Sequence, residues 1–335
     1  MTIKEVAAAA GVSPTTVSHV LNNRGRIAED TRARVLEVVR QFGYQANAHA
    51  QQLVTRRSRI IAIQLPDPGL TGGPALPQSA YFLELINGAA AAADSLNYAV
   101  FVAPSGGNAS ILNGFAIDGA IVVDPQGKEA VFASRATVVT VGVPLQSAHD
   151  ALSVDNDHAR AARVVLDQFQ GQGRRCPALL ADRTGRSYVN DIRAGYSAWI
   201  AEHETADVVV TCGSLNKTAL DRAMAKLIAA GADAVYTSSD DLALGLLDAA
   251  FRAGLSVPDD LAVAAAVDSR SLTLTSPQIS ATNLFPRRTG ATAARLLIES
   301  IENGSEAATT QRIPTRFVAR ASTAPRGKPA PKGSR

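Results

Sequence analysis

The sequence predicts an α/β protein: an N-terminal all-α helix-turn-helix, followed by two lobes built on doubly wound parallel sheets. Three observations carry that expectation. Two short helical stretches with good capping residues flank Gly11 within the first 21 residues. Apolar runs alternate with helix-period stretches in two series between 60 and 266. The charge is split between a basic head and an acidic body.

The first helix opens on Thr2-Ile-Lys-Glu5, which fits a capping box with Thr2 as N-cap and Glu5 reaching back. Ile3, Val6 and Ala7 share a face, and Gly11 suits a chain leaving the helix through positive φ. Ser13 then offers a new N-cap, with Pro14 at the first helical position, where its missing N–H costs nothing. Val17, Val20 and Leu21 form the inward stripe, leaving Thr15, Thr16, Ser18, His19 and Asn22 pointing outward. Two short helices joined by a Gly-containing turn are a helix-turn-helix signature, and a polar, non-acidic outer face suits the major groove. The competing reading is a small helical hairpin with solvated Thr and Ser.

A third helix is expected from about Glu29 to Phe42, with Val35, Leu36, Val38, Val39 and Phe42 available to close a core and Gly43 capping it. Asn47–Val54 is helix-compatible but too short to be stable alone in water. It runs into Thr55-Arg-Arg-Ser-Arg59, so it reads as a segment that orders only against a partner.

From residue 60 the pattern changes. Ile60–Leu65, ending in Pro66, reads as a buried parallel strand. A helical stretch at 81–97 follows, then apolar runs at Ala99–Ala103, Asp118–Val123 and Thr137–Val141. A second series begins with a helix near Ala159. It continues through Ala178–Ala181, a helix around Gly195–Glu202, Asp207–Thr211, helix 217–230, Ala234–Thr237, helix 241–253 and Leu261–Ala266. Strands alternating with helices imply parallel sheets covered on both faces, and two series imply two lobes with a cleft between them.

The net charge of +3 hides its distribution. Residues 1–59 hold nine Lys/Arg against four acids, and 326–335 add four bases and no acid, leaving 20 bases and 26 acids in between. A basic head on an acidic body is expected when only the head meets a polyanion. Cys176 and Cys212 make neither a disulfide framework nor a metal spacing, and read as ordinary thiols in a reducing compartment. The N-terminus lacks the pattern of a secretion signal, and the apolar run Ala89–Ala93 is too short to span a bilayer, so a cytoplasmic protein without membrane contact is expected.

The segments Thr2-Ile-Lys-Glu-Val-Ala, Ala10-Gly-Val-Ser-Pro-Thr-Thr-Val-Ser18, Val20-Leu-Asn-Asn23, Thr31-Arg-Ala-Arg-Val35 and Phe42-Gly-Tyr-Gln-Ala-Asn47 closely resemble the LacI/GalR family of bacterial transcription regulators, in register through Ala50-Gln-Gln-Leu53. The resemblance implies that Thr15, Thr16 and His19 face base edges and that Ser13, Ser18, Asn22, Tyr44 and Asn47 hold phosphates. It makes Leu53 a wedge inserted with its dimer mate into a minor-groove step. An apolar residue on an otherwise polar, arginine-flanked helix has no core to enter, which fits that role; packing against its mate alone is the competing reading. His19 stands where the family usually has Arg, and Ala46 where it typically has Pro, so the operator is not inherited from better-known relatives.

After the hinge, Gly231–Gly245, Gly254–Asp260 and the closing strand expected at Val318–Thr323 resemble the family's periplasmic-binding-protein-like fold. The implied organisation is a headpiece at 1–45, a hinge at 46–58, a core at 59–323 and a disordered basic tail at 324–335. The first lobe would span 59–154 plus 284–312, and the second 155–283 plus 313–323. Ligands in such sheets bind beyond the carboxyl ends of the strands. That points to Tyr81, Phe82, Asp155, Ser239, Asp240 and Asp268, with Asp240 and Asp155 equally readable as helix caps. Ser239 stands where Asn is usual, Val267 replaces the first Asp of a familiar pair, and Ile192 holds the place of a ligand-binding Arg, with Arg193 one position along. A long Pro66–Pro77 loop is expected at the cleft mouth. A standard sugar site is therefore not expected.

Catalytic signatures are poor: no HExxH, P-loop or GxSxG is present, and Gly171-Gln-Gly173 follows a helix rather than a strand. Ser214-Leu-Asn-Lys217 has an S-x-x-K spacing without companion motifs, so Ser214 or Asn216 reads as a helix cap. No enzyme, metal or cofactor is expected. The leading expectation is a homodimeric regulator, a repressor first, bound to a palindromic double-stranded operator and modulated by a sugar or other polar metabolite in the cleft. The alternative is the same regulator with a lapsed effector site; a solute receptor or sugar-modifying enzyme ranks third.

Overall fold

The computed structural model describes residues 2–21, 25–44, 57–66, 79–103, 116–127, 129–134, 136–145, 152–304 and 309–325. Asn22, Asn47, Leu53, the rest of 45–56, the loop 67–78 and the tail from 326 lie outside the described residues. The chain forms two compact units, Met1–Ser58 and Arg59–Arg335.

In the first unit α1 (Ile3–Ala10), α2 (Pro14–Leu21) and α3 (Glu29–Gln41) enclose a small core of Val6, Ala7, Ala10, Val17, Val20, Val35 and Val38. Glu5 accepts a hydrogen bond from the Thr2 N–H at 2.7 Å, the reciprocal half of the capping box. Gly11 takes φ 64°, the left-handed conformation that lets α1 end and the chain turn at once into α2. Two expectations fail here. Leu36 and Phe42 do not close the core; they are 39% and 49% exposed. Helix geometry is the reason: Val35, Val38 and Val39 share one face, Leu36 lies a residue off it, and Phe42 falls beyond the last helical residue. Tyr44 packs against the core instead.

The second unit holds two six-stranded sheets. The first contains β1 (Ile60–Gln64), β2 (Ala99–Ala103), β3 (Gly119–Val123), β4 (Thr137–Val141), β5 (Leu152–Asn156) and β11 (Thr310–Ile313), in spatial order β11-β5-β4-β3-β1-β2, all parallel. The second contains β6 (Pro177–Asp182), β7 (Val209–Cys212), β8 (Ala234–Thr237), β9 (Ala262–Ala265), β10 (Ser280–Asn283) and β12 (Arg316–Val318), in order β12-β10-β9-β8-β6-β7. Its strands are parallel except β12, which runs antiparallel to β10.

Helices α4 (Ala80–Ser95) and α9 (Pro286–Asn303) cover one face of the first sheet over Ile61, Ile63, Val139 and Val141. They touch backbone to backbone: a Cβ on Gly88 would sit 1.9 Å from the Arg287 carbonyl oxygen, and one on Gly290 would sit 2.0 Å from that of Leu85. On the second sheet, α5 (His158–Gly171) and α6 (Ser187–His203) bury Leu179 and Tyr236 with Trp199 and Phe169. On the opposite face, α7 (Lys217–Ala229) and α8 (Asp240–Arg252) bury Leu180 and Val263. Burial on both faces explains why these strands read as unbroken apolar runs.

Several elements differ from expectation, β10, α9 and β11 among them, since no element was expected between 266 and 318. β5 was not foreseen: its alternation of Ser153, Asp155 and Asn156 with apolar residues looks unlike a buried parallel strand, yet Ser153 and Asn156 are buried and hydrogen-bonded. α6 starts eight residues before Gly195, which marks its closest approach to α5 at Ala159. The closing segment Val318–Thr323 is strand only to Val318. Beyond it a 3₁₀ turn buries Ser322, whose hydroxyl donates to the Val263 carbonyl at 2.6 Å.

Candidate DNA-reading face and effector cleft

In the first unit, Ser13 caps α2: its hydroxyl oxygen accepts from the Thr16 N–H at 3.1 Å and lies 2.9 Å from the Thr16 hydroxyl. Thr15 and His19 are exposed, while Thr16 and Ser18 are half-buried. The Thr16 hydroxyl is thus held by the cap. Tyr44 is half-buried. No acid lies on α2, so its outer face can approach phosphates without like-charge repulsion.

In the second unit the carboxyl ends of β3, β5 and β6 converge. Asp124 follows β3, Asp155 lies near the end of β5, and Asp182 ends β6. Arg186, at the N-cap of α6, reaches from the second sheet to Asp124 of the first at 3.5 Å, its side chain 9% exposed. Asp182 accepts from the Ser238 hydroxyl at 3.0 Å, the Thr184 N–H at 2.9 Å and the Tyr188 hydroxyl at 3.4 Å. Burial pushes the Asp124 carboxyl up to about 6, against the pull of Arg186, and that of Asp155 to about 7, with Asp191 and Asp124 adding to the rise. Burial raises the Tyr81 phenol, and the charges of Asp124 and Asp155 raise it further, which places Tyr81 with these acids.

The expected effector residues scatter. Tyr81 and Asp155 belong to this cluster. Phe82 packs into the first core, edge-on to Tyr81 at 5.3 Å. Ser239 caps α8, accepting from the Leu242 N–H, and Asp240 is the first helical residue, so Asp240 is not the cap. The cap before α5 is Asp157, not Asp155. Asp268 is held by Arg320 through two contacts of 2.9 Å. Arg193 is exposed and its neighbour Ile192 lies in the core, so this stretch of α6 brings no guanidinium to the acids. The residues the sequence reading missed are Asp124, Asp182, Arg186, Tyr188 and His158. Applying the strand-end rule to β3 and β6, rather than to the familiar motif positions alone, would have found the first two. Asn216 caps α7, its side-chain oxygen accepting from the Ala219 N–H at 2.8 Å, which leaves the S-x-x-K spacing a cap.

A helix-turn-helix with a polar outer face, followed by two parallel-sheet lobes with charged groups at their carboxyl ends, defines a DNA-binding transcription regulator with a second, two-lobed domain. Residues 2–47 match the bacterial regulatory proteins of the lacI family, and residues 166–323 match the periplasmic binding protein-like domain. The chain thus carries a lacI-family DNA-binding domain and a periplasmic binding protein-like domain. Catabolite control protein A of Staphylococcus xylosus is 27% identical over 310 residues, covering 89% of this chain and 91% of that protein. That of Streptococcus mutans is 28% identical over 320 residues, covering 89% and 90%. Among solved structures, the lac repressor dimer bound to operator and the anti-inducer ONPF superposes with a TM-score of 0.78 at 21% identity, and a CelR–cellobiose complex with 0.71 at 22%; each covers 96% of this chain and 99% of the other. No helix among the described residues is long and apolar enough to cross a membrane.

Proposed function

We propose that the protein is a cytoplasmic, non-enzymatic repressor that binds a palindromic operator as a homodimer and is modulated by a small molecule between its lobes. The observation that carries the effector half is the Asp124–Arg186 contact, which joins the two sheets across the cleft where a ligand would compete for both partners. For the DNA half, Thr15, Thr16 and His19 read bases; Ser13, Ser18, Asn22, Tyr44 and Asn47 position phosphates; and Leu53 is the minor-groove wedge. Ser13 also caps α2, so one residue would both shape the helix and meet the backbone. Headpiece 1–45, hinge 46–58 and core 59–323 divide the work, and the exposed apolar side chains Leu83, Phe251 and Leu274 supply surface for a mate.

The test is selection of genomic DNA fragments by the purified protein at fixed moderate salt, followed by sequencing. Recovery of a palindrome with half-sites about one helical turn apart supports a dimeric regulator. Weak, salt-sensitive binding without a motif, with and without metabolite extract, sinks the proposal.

A further inference from the structure

In the cleft, Asp155 and His158 carry hydrogen-bonding capacity that no other described residue fills. Asp155 accepts one hydrogen bond, from the Asn156 N–H at 2.8 Å, while its side chain is only 13% exposed. The charges of Asp191 and Asp124, of its own sign, act on it more strongly than that of Arg312, which is itself bonded to Asp157 at 3.0 Å. Arg186 stands 3.5 Å from Asp124, a long contact for an ion pair, and Asp182 adds a third carboxylate beside them.

His158 completes the pattern. Its side chain is 9% exposed, it makes no hydrogen bond to any described residue, and its Nε2 points at Asp155 from 4.0 Å with its ring against Tyr188. Burial holds this imidazole neutral, its pKa pulled down to about 4. It therefore brings one N–H and one lone pair, not a positive charge, to the acids around it. A buried polar group without a hydrogen bond is costly, and one set against an acid with spare acceptor capacity is arranged for a ligand that supplies what both lack.

Resting on the reading of this cleft as an effector site, we infer that its effector carries a protonated amine, set against Asp155, on a compact hydroxylated or aliphatic frame. A neutral polyol donates hydrogen bonds but adds no positive charge beside Asp155, which Asp191 and Asp124 crowd with their own sign. An ammonium group supplies donors and charge together, and hydrogen bonds between ions are about twice as strong as neutral ones. The Tyr188 hydroxyl reaches Asp182 at 3.4 Å and the Tyr81 phenol feels the charges of Asp124 and Asp155, so aromatic side chains lie beside these acids. Among the described residues no three acids, histidines or cysteines come together in an arrangement that would hold a metal ion, so the geometry favours an organic cation.

The test is calorimetric titration of the full chain at constant pH with matched pairs that differ only in amine against hydroxyl or hydrogen-bearing neutral group: glucosamine and glucose, galactosamine and galactose, putrescine and 1,4-butanediol. At least one amine should bind about tenfold or more tightly than its neutral partner, as expected of one added charge-assisted hydrogen bond. Asp155→Asn should erase that ratio while leaving thermal unfolding cooperative; Asp124→Asn should reduce it. Equal or tighter binding of the neutral partners, a ratio unchanged in Asp155→Asn, or no amine bound at millimolar concentration overturns the inference. If a neutral compound binds and alters operator affinity, the effector reading survives and only the amine is lost. If neither set binds nor changes operator affinity, both fall.

Discussion

The side-chain amide of Asn156 donates to the main-chain carbonyl of Ile313 at 3.0 Å, and its nitrogen also reaches the carbonyl of Leu284 at 3.2 Å. Asn156 ends β5, Ile313 ends β11 and Leu284 follows β10, so one buried side chain ties together the three strands by which the chain passes between the sheets.

Asn156→Ala should therefore strand two buried carbonyls, each costing roughly 1–3 kcal/mol. Urea unfolding should show a loss of about 2 kcal/mol or more. A loss under about 0.5 kcal/mol, typical of an indifferent surface change, would remove Asn156 from this role.

Gly88→Ala should disrupt the contact of α4 with α9, since the new methyl has only backbone to meet. Overpacking of this kind costs about 1–3 kcal/mol or more. Gly171→Ala is the control, because a Cβ there meets nothing within 4 Å and should be neutral or mildly stabilising. Equal melting temperatures for the two variants would contradict the packing.

Asp155 predicts a pH effect with a definite sign. Its folded carboxyl is raised to about 7, chiefly by burial, so the folded state binds the extra proton and this group's contribution weakens as pH rises from about 4 through 7. Asp191, Asp124 and Arg312 face it, and His158, lowered to about 4, works in the opposite sense over pH 4–6.5 in both proteins. Asp155→Asn should thus melt near wild type at pH 5 and several degrees above it at pH 8. A difference that does not change with pH would mean that Asp155 is not desolvated as described.

His19 lies exposed on α2, where an imidazole can make only one of the two contacts that a guanidinium makes to guanine. His19→Arg should shift preference at one base pair of each half-site by roughly 1–3 kcal/mol, read by repeating the fragment selection. An unchanged motif would exclude His19 from the reading set.

Leu53→Ala should weaken operator binding far more than binding to random DNA, because a wedge acts only where the duplex can kink. Equal losses on both, measured at one salt concentration, would exclude the wedge.

The headpiece was legible because its signals are local. Thr2 and Glu5, Gly11, then Ser13 and Pro14 act within a few residues of one another, and the i, i+3, i+4 spacing of Val17, Val20 and Leu21 sets the buried face without help from elsewhere. Alternation of apolar runs and helices likewise decided the parallel-sheet architecture. The cleft was not legible in the same way. Asp124, Asp155, Asp182 and Arg186 are separated by up to 62 positions and meet only because β3, β5 and β6 end at the same edge.

The sequence by itself determined the three headpiece helices with the caps Thr2 and Ser13, the alternation of apolar runs and helices and the kind of protein, since each depends on neighbours along the chain. Tertiary structure alone decided that Asp268 is occupied by Arg320, that Arg193 is exposed while Arg186 reaches Asp124, and that His158 is buried beside Asp155 and Tyr188 without a hydrogen bond to any described residue. Whether a charged group is satisfied depends on which distant group lies within about 4 Å, where Coulomb energy and desolvation are both large. No local spacing encodes that distance.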